Sequence, residues 1–358
     1  MAETKYNPLQ ENKMGTMPIG KLLATMSTPM MISMLVQAFY NIVDSVFVSR
    51  LGEDALNAVS LAFPLQQLII AVCGGTAVGM NALLSRSLGA KQFDRANKIA
   101  NSGIFLFLCS SVVFSAIGIF MSKFFFLAQT DVEQIVKYGT DYTGVCLGCS
   151  IGICSQFCFE KLLQSTGRTT LSMIAQLVGA LINIILDPIL IFGLCGMPRL
   201  EVLGAAIATV SGQIVAAILA VIFNIKFNKD IHIRLKLIRW DSAIVKDIYK
   251  IGLPSIVMQS IGSIMTFTMN KILISFTTTA TAVFGSYFKL QSFVFMPIFG
   301  LNNGMVPIIA YNYGAKRYDR VKKTIKITIL TAVTIMFMGL LAFELIPHVL
   351  LSFFNASE

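Results

Sequence analysis

A stripe of polar side chains runs along an apolar segment near the beginning of the chain. Ser33, Gln37, Asn41 and Asp44 recur at i, i+4, i+8 and i+11, and Tyr40 precedes Asn41. These spacings return to one face of an α-helix, so the side chains should share that face. An ionisable group in an apolar segment is costly to bury, which makes Asp44 a candidate for function.

Two later apolar segments carry similar polar groups. Gln176, Asn183 and Asp187 lie at i, i+7 and i+11, and Thr209 and Gln213 are one helical turn apart. Carboxylate, amide and hydroxyl oxygens suit a hard cation such as Na⁺. They suit a proton equally, because burial beside a second carboxylate favours a protonated acid. The pattern predicts a small-cation site and leaves Na⁺ and H⁺ open. The alternative is that both aspartates only join neighbouring helices.

The segments that position these groups are long enough to cross a bilayer. The chain has 358 residues, of which 55% are hydrophobic and 13% charged, against about 25% charged in soluble proteins. A span needs about 20 apolar residues. Nine runs qualify: 22–48, 55–84, 97–122, 132–158, 169–193, 201–224, 250–275, 281–311 and 325–350. Strand-like alternation is absent, so we predict an all-α polytopic membrane protein. The first 20 residues are polar and predict no cleavable signal peptide.

The net charge of +10 reflects topology rather than a site for nucleic acid. Most of the 28 lysine and arginine residues fall in the N-terminal tail or in 86–98, 161–168, 226–250 and 316–326. With a cytoplasmic N-terminus, all of these segments are cytoplasmic. The positive-inside rule therefore predicts a multi-pass protein of the cell membrane with its N-terminus in the cytoplasm.

A polar decapeptide occurs twice in the chain, as GAKQFDRANK at 89–98 and GAKRYDRVKK at 314–323. The same offset of 225 positions aligns Pro29 with Pro254 and Gly75 with Gly300. We predict two parallel six-helix repeats, of which the second is only half present. The predicted divisions are a tail at 1–20, a first lobe at 21–225, a basic linker at 226–249 and a partial second lobe at 250–358. Gly89 and Gly314 are expected to end helices in the left-handed conformation.

Four stretches resemble one known family in the right order: AFYNIVDSVFVSRLG, LSRSLGAKQFDRANK, LLQSTGRTTLSM and INIILDPILIFG. They are similar to the prokaryotic, DinF-like branch of the MATE (multidrug and toxic compound extrusion) family. The resemblance implies twelve helices in two six-helix lobes, so this chain would be truncated after its ninth. It also implies antiport of cationic, amphipathic compounds against Na⁺ or H⁺. The cation site of the family would fall on Asp44, Asn183, Asp187, Thr209 and the Ala205 carbonyl.

Further polar residues within spans are candidates for lining a substrate cleft: Gln37, Tyr40, Asn41, Gln176, Gln213, Gln259, Lys271 and Gln291. The expected partners are cationic small molecules and the bilayer, the expected state is a monomer, and no cofactor is implied beyond the coupling ion.

Three alternative functions make different demands on the sequence. A flippase for lipid-linked precursors should carry several cations in its cleft, and only Lys271 and Lys289 lie within spans. An inactive fragment or paralogue of a transporter is a further alternative. A membrane enzyme would need a nucleophile, metal ligands or an acid–base pair near the interface, and the sequence offers none.

Overall fold

The computed structural model describes residues 11–234, 237–274 and 278–345, and its regular elements are helical. In chain order the helices are Lys13–Thr16 (α1), Ile19–Ser49 (α2), Glu53–Gly89 (α3), Phe93–Phe120 (α4), Ser122–Leu127 (α5), Glu133–Gly148 (α6), Ile151–Ser165 (α7), Thr169–Phe192 (α8), Glu201–Phe227 (α9), Ser242–Ile274 (α10), Thr278–Gly314 (α11) and Tyr318–Leu345 (α12). A short 3₁₀ turn, Leu194–Gly196, follows α8. The prediction of an all-helical membrane protein is confirmed.

Within the described ranges, seven helices are long and apolar enough to cross a membrane. They are α2, α3, α4, α8, α9, α12 and the Gln291–Gly314 part of α11. An eighth span arises if α6 and α7, which meet at a bend of 42°, are one broken helix. The expected number of nine is therefore corrected to seven or eight. The difference is the run at 250–275, whose described part lies in α10. This helix is 33 residues long but is not among those that qualify.

The helices of the first half, α1–α9, pack around α3, α8 and α9, and those of the second half, α10–α12, dock against them. Contacts between the halves occur in pairs that are related by the offset of 225 positions seen in the sequence. Gly75 of α3 lies against Gly252 and Ile256 of α10, while Gly300 of α11 lies against Met31 of α2. Ile256 is the repeat equivalent of Met31, and Gly300 is that of Gly75. Positions related by the offset of 225 therefore make matching contacts between the two halves.

Gly89 and Gly314 are the last residues of α3 and α11, as expected, and they also allow close packing between these helix ends. A Cβ atom on Gly89 would overlap the carbonyl oxygen of Tyr311, and one on Gly314 would overlap that of Arg86. Tyr311 and Arg86 are themselves repeat equivalents. The expectation that these glycines adopt a left-handed conformation is wrong. The left-handed residues are Lys91 and Lys316, both with φ of 58°. The ends of α3 and α11 thus meet backbone to backbone, at the end of the bundle that carries both decapeptides.

Candidate functional site

Helices α8 and α9 are joined through the amide of Asn183. Its Nδ2 donates to Thr209 Oγ1 at 3.3 Å and to Asp187 Oδ1 at 3.4 Å, one turn away on α8. Asp187 is fully buried, and it precedes Pro188 inside the helix. Proline removes a backbone donor and favours a local kink. Spacing along the helix placed Asn183 and Asp187 on one face, and the structure adds Thr209 to the same group.

The second carboxylate comes from α2. Asp44 and Asp187 lie within electrostatic reach of each other, and Tyr40 lies within reach of both. Three buried oxygens in this cluster have no hydrogen-bond partner among the described residues: Asp44 Oδ1, Asp187 Oδ2 and Asn183 Oδ1. Buried acceptors are normally satisfied, so a group of unsatisfied ones indicates a place for a missing donor or cation. Their chemistry fits Na⁺ or a proton. We call Asp44, Asn183, Asp187 and Thr209 the carboxylate cluster.

Glutamines and a tyrosine extend the polar region towards neighbouring helices. Gln176 of α8 donates to Gln37 Oε1 of α2 at 3.3 Å. Gln66 of α3 donates to the Tyr142 hydroxyl of α6 at 3.1 Å, and Tyr142 lies within reach of both carboxylates. Sequence reasoning selected Gln37 and Gln176 but missed the other two. Gln66 lies beside Gln67, and Tyr142 lies between Asp141 and Thr143, so neither was distinguished from its polar neighbours.

The remaining predicted residues lie outside this cluster or beyond the described side chains. Ala205 is fully buried in α9, and Gln213 lies against Gly152 of α7. Gln259 is exposed on α10, where it faces Gly74 of α3 and donates to its own helix. Asn41 is exposed and Gln291 half-buried. The side chain of Lys271 lies outside the described residues.

Two charged residues of α7 were missed as candidates. Glu160 and Lys161 are 8% and 7% exposed. Glu160 accepts from Gln156 at 2.9 Å and lies within electrostatic reach of Tyr40, whereas Lys161 Nζ donates to Asn303 Oδ1 of α11 at 2.9 Å. In the sequence both follow the apolar run at 132–158, and Lys161 begins the predicted cytoplasmic loop at 161–168. The helix in fact continues to Ser165.

Comparison with known proteins adds independent findings. The family model MatE matches residues 29–189 and 254–358. Multidrug export protein MepA of Staphylococcus haemolyticus (strain JCSC1435) is 29% identical over 318 residues, 88% of this chain and 69% of the relative. MepA of Staphylococcus aureus (strain N315) is 28% identical over 342 residues, 95% of this chain and 75% of the relative.

Solved structures agree with the sequence matches. One, described as the outward-facing conformation of a multidrug resistance MATE family transporter of the MOP superfamily, superposes with a TM-score of 0.91 at 27% identity. The superposition covers 98% of this chain and 77% of that one. A MOP superfamily transporter from Pyrococcus furiosus gives 0.89 with the same identity and coverage. The matches run over nearly all of this chain, and the expected truncation after a ninth helix is not borne out.

Proposed function

Because this chain belongs to the MatE family and is a membrane transporter rather than an enzyme, we propose that it exports cationic, amphipathic compounds in exchange for Na⁺ or H⁺. The relatives named above are multidrug exporters, and the fold is that of an outward-facing MATE transporter. The compounds proposed here have the chemistry that a polar, acidic cleft between apolar helices would accept.

One observation carries the coupling part of this proposal. The carboxylate cluster brings two acids of α2 and α8 into mutual reach and leaves three buried oxygens unsatisfied. A cation or proton entering the cluster would satisfy these oxygens and neutralise one charge. Its exit would restore both negative charges near the cleft. Binding of the coupling ion and binding of a cationic substrate would therefore compete electrostatically, which is the condition for exchange.

The remaining parts of the proposal concern architecture. We infer two parallel repeats related by the offset of 225, with the basic linker at 226–249 between them. The equivalent contacts of Gly75 and Gly300 support this relation. We further propose a cell-membrane monomer with a cytoplasmic N-terminus, on the strength of its charge distribution.

The test is transport of ethidium into inverted membrane vesicles under separate Na⁺ and pH gradients. We expect accumulation driven by one of the two gradients. Asp44→Asn and Asp187→Asn should each reduce gradient-driven accumulation at least tenfold, because either change removes a charge that the coupling ion must neutralise. Asp141→Asn is the matched control, since this aspartate is exposed on α6.

Protein level and detergent-solubilised folding are measured in parallel for each variant. If folded Asp44→Asn and Asp187→Asn both accumulate dye against its gradient as the unchanged protein does, the two carboxylates are structural and the coupling proposal fails.

A further inference from the structure

Residues 11–17 form a short segment between the two halves, which we call the N-terminal strap. On the side of the first half, Asn12 Nδ2 donates to the carbonyl of Thr166, in the turn between α7 and α8, at 3.0 Å. Lys13 and Met14 lie against Gly167 of the same turn. Burial, and secondarily the nearby guanidinium of Arg168, lowers the pKa of Lys13. Met14 is completely buried.

The second half holds the other side of the strap through its backbone. Arg320 Nη2 donates to the carbonyls of Met14 and Met17 at 3.1 and 2.8 Å, and Asn312 Nδ2 donates to Met14 at 3.0 Å. Arg320 Nε also donates to Asn312 Oδ1 at 2.8 Å, which fixes the guanidinium plane. The carbonyls of a one-turn helix have few partners of their own, so a guanidinium fork satisfies several of them together.

A second arginine extends the same contact. Arg317 Nη1 donates to the carbonyl of Gly15 at 2.6 Å, and its Nη2 pairs with Glu11 Oε1 at 2.6 Å. We call Asn312, Arg317 and Arg320 the clamp. These three residues of the second half lie at the end of α11, in the turn that follows it and at the beginning of α12.

The two copies of the decapeptide carry equivalent arginines, and each arginine makes a contact between the halves. Arg320 is the equivalent of Arg95, and Arg95 also reaches the opposite half, where it pairs with Asp247 of α10 at 2.9 Å. That pair is about half exposed, at 50% and 44%, so it contributes little to stability. Arg95 of the first half therefore contacts the second half, and Arg320 of the second half contacts the strap. Only Arg320 contacts a partly buried segment.

The strap lies at the end of the bundle where Gly89 and Gly314 bring the halves into backbone contact. A cleft open at this end requires the halves to separate here, and the strap cannot then keep both sets of contacts. Covalent continuity with α2 and the Asn12 contact keep it on the first half. We propose that the N-terminal strap is a latch that releases from the clamp when this end of the transporter opens, and that its contacts set how readily this end opens. The inference rests on the proposed function only in requiring that this end opens during transport.

Distances between the two halves test the latch directly. Spin labels are placed at Lys98→Cys and Lys323→Cys, which are exposed and equivalent in the repeat. The exposed cysteines, Cys109, Cys149 and Cys195, are replaced by serine. Pulsed electron paramagnetic resonance of the full chain in nanodiscs, without substrate, then gives the populations of closed and open states at this end.

Arg320→Lys keeps the charge but loses the Nε donor to Asn312, so a single ammonium group cannot make the Nε and Nη2 contacts together. We expect it to raise the ratio of long to short distances roughly 5- to 30-fold, the effect of losing one or two charge-assisted hydrogen bonds. Asn12→Ala removes the anchor on the other side, and we expect a shift in the same direction. Arg95→Lys is the matched control and should leave the distribution unchanged.

An unchanged distribution in both Arg320→Lys and Asn12→Ala would overturn the latch. If Arg320→Lys fails to fold, Asn12→Ala decides alone. The readout needs no substrate, so a protein that moves no dye yet shows the distance shift keeps the latch and loses the proposed function. A protein that transports dye but shows no distance shift in these variants keeps the proposed function and rules out the latch.

Discussion

Lys161 is a buried ammonium group held by a neutral partner. Its Nζ donates to Asn303 Oδ1 of α11, while its neighbour Glu160 accepts from Gln156. Glu160 and Lys161 form no ion pair within 4.0 Å among the described residues. A buried charge that loses its partner costs more than the hydrogen bond contributed, because the desolvated group stays in place. Asn303 is therefore a residue on which the docking of α11 against α7 depends.

Asn303→Ala should lower the free energy of unfolding by about 1–3 kcal/mol, because it leaves Lys161 buried without this acceptor. Adding Lys161→Met should recover part of that loss, since an apolar side chain of similar length needs no acceptor. Thermal unfolding in detergent measures both. Asn57→Ala, at an exposed site of α3, is the control and should change little. Strictly additive effects of Asn303→Ala and Lys161→Met would show that the two side chains do not interact.

Part of the candidate site was predictable from the spacing of individual residues along a helix. Helical spacing placed Gln37 and Asp44, and separately Asn183 and Asp187, on shared faces, because that periodicity is a property of one helix. The contact of Asn183 with Thr209 came from family resemblance, since spacing cannot align two different helices. Lys161 was missed because its burial depends on a helix that lies 142 positions further along the chain.

At the scale of elements, glycines determine how closely the halves approach. Gly89 and Gly314 place the ends of α3 and α11 in backbone contact, where no side chain fits. Gly144 of α6 is different, because a Cβ there would meet nothing within 4 Å. The same residue type therefore has a packing role in one helix and none in another.

Gly89→Ala and Gly314→Ala should each lower the free energy of unfolding by about 1–3 kcal/mol, because the added methyl group forces the helix ends apart. Gly144→Ala should be neutral or stabilise by up to about 1 kcal/mol, since alanine favours helix over glycine. Thermal unfolding of the purified variants makes the comparison. Equal melting temperatures for Gly89→Ala and Gly144→Ala would contradict backbone contact at α3 and α11.

Helix positions were predictable from the apolar runs, but helix breaks were not. The run at 132–158 is divided between α6 and α7, and the division lies beside α4. Ser115 of α4 donates to the carbonyl of Gly148 at 2.8 Å, and Ser150 donates to the carbonyl of Ser111 at 2.8 Å. The first bond satisfies the Gly148 carbonyl, which a continuous helix would bond internally, and the second ties the break to α4. The partners belong to another helix, so the local sequence does not reveal the break.

At the scale of the whole molecule, the offset of 225 predicted which residues are equivalent but not how the repeats face each other. Two equivalent helices can pack in many ways. The structure pairs α3 with α10 and α11 with α2, and it places Gly75 and Gly300 at matching points. This arrangement depends on contacts between distant segments, which neither composition nor hydropathy specifies.

The charge distribution also predicts how the whole molecule is oriented in the membrane. Ser242 begins α10 and is exposed, within the basic segment at 226–249. With the exposed cysteines replaced by serine, Ser242→Cys should react with an impermeant maleimide in inverted vesicles and not in intact cells. The reason is the excess of lysine and arginine in this segment, which is retained on the cytoplasmic side. Reaction in intact cells alone would reverse the proposed topology.

The N-terminal strap also has a consequence for the order of events on the ribosome. Met14 is bonded to Asn312 and Arg320, which lie 298 and 306 positions later in the chain. Translation proceeds at roughly 5–20 residues per second, so the strap waits about 15–60 s for these partners to be made. During that interval only contacts with the first half are available to hold it, such as the bond of Asn12 to Thr166 and the packing of Met14 against Gly167. Sealing of this end is therefore among the late steps of biogenesis, after the first half has been inserted.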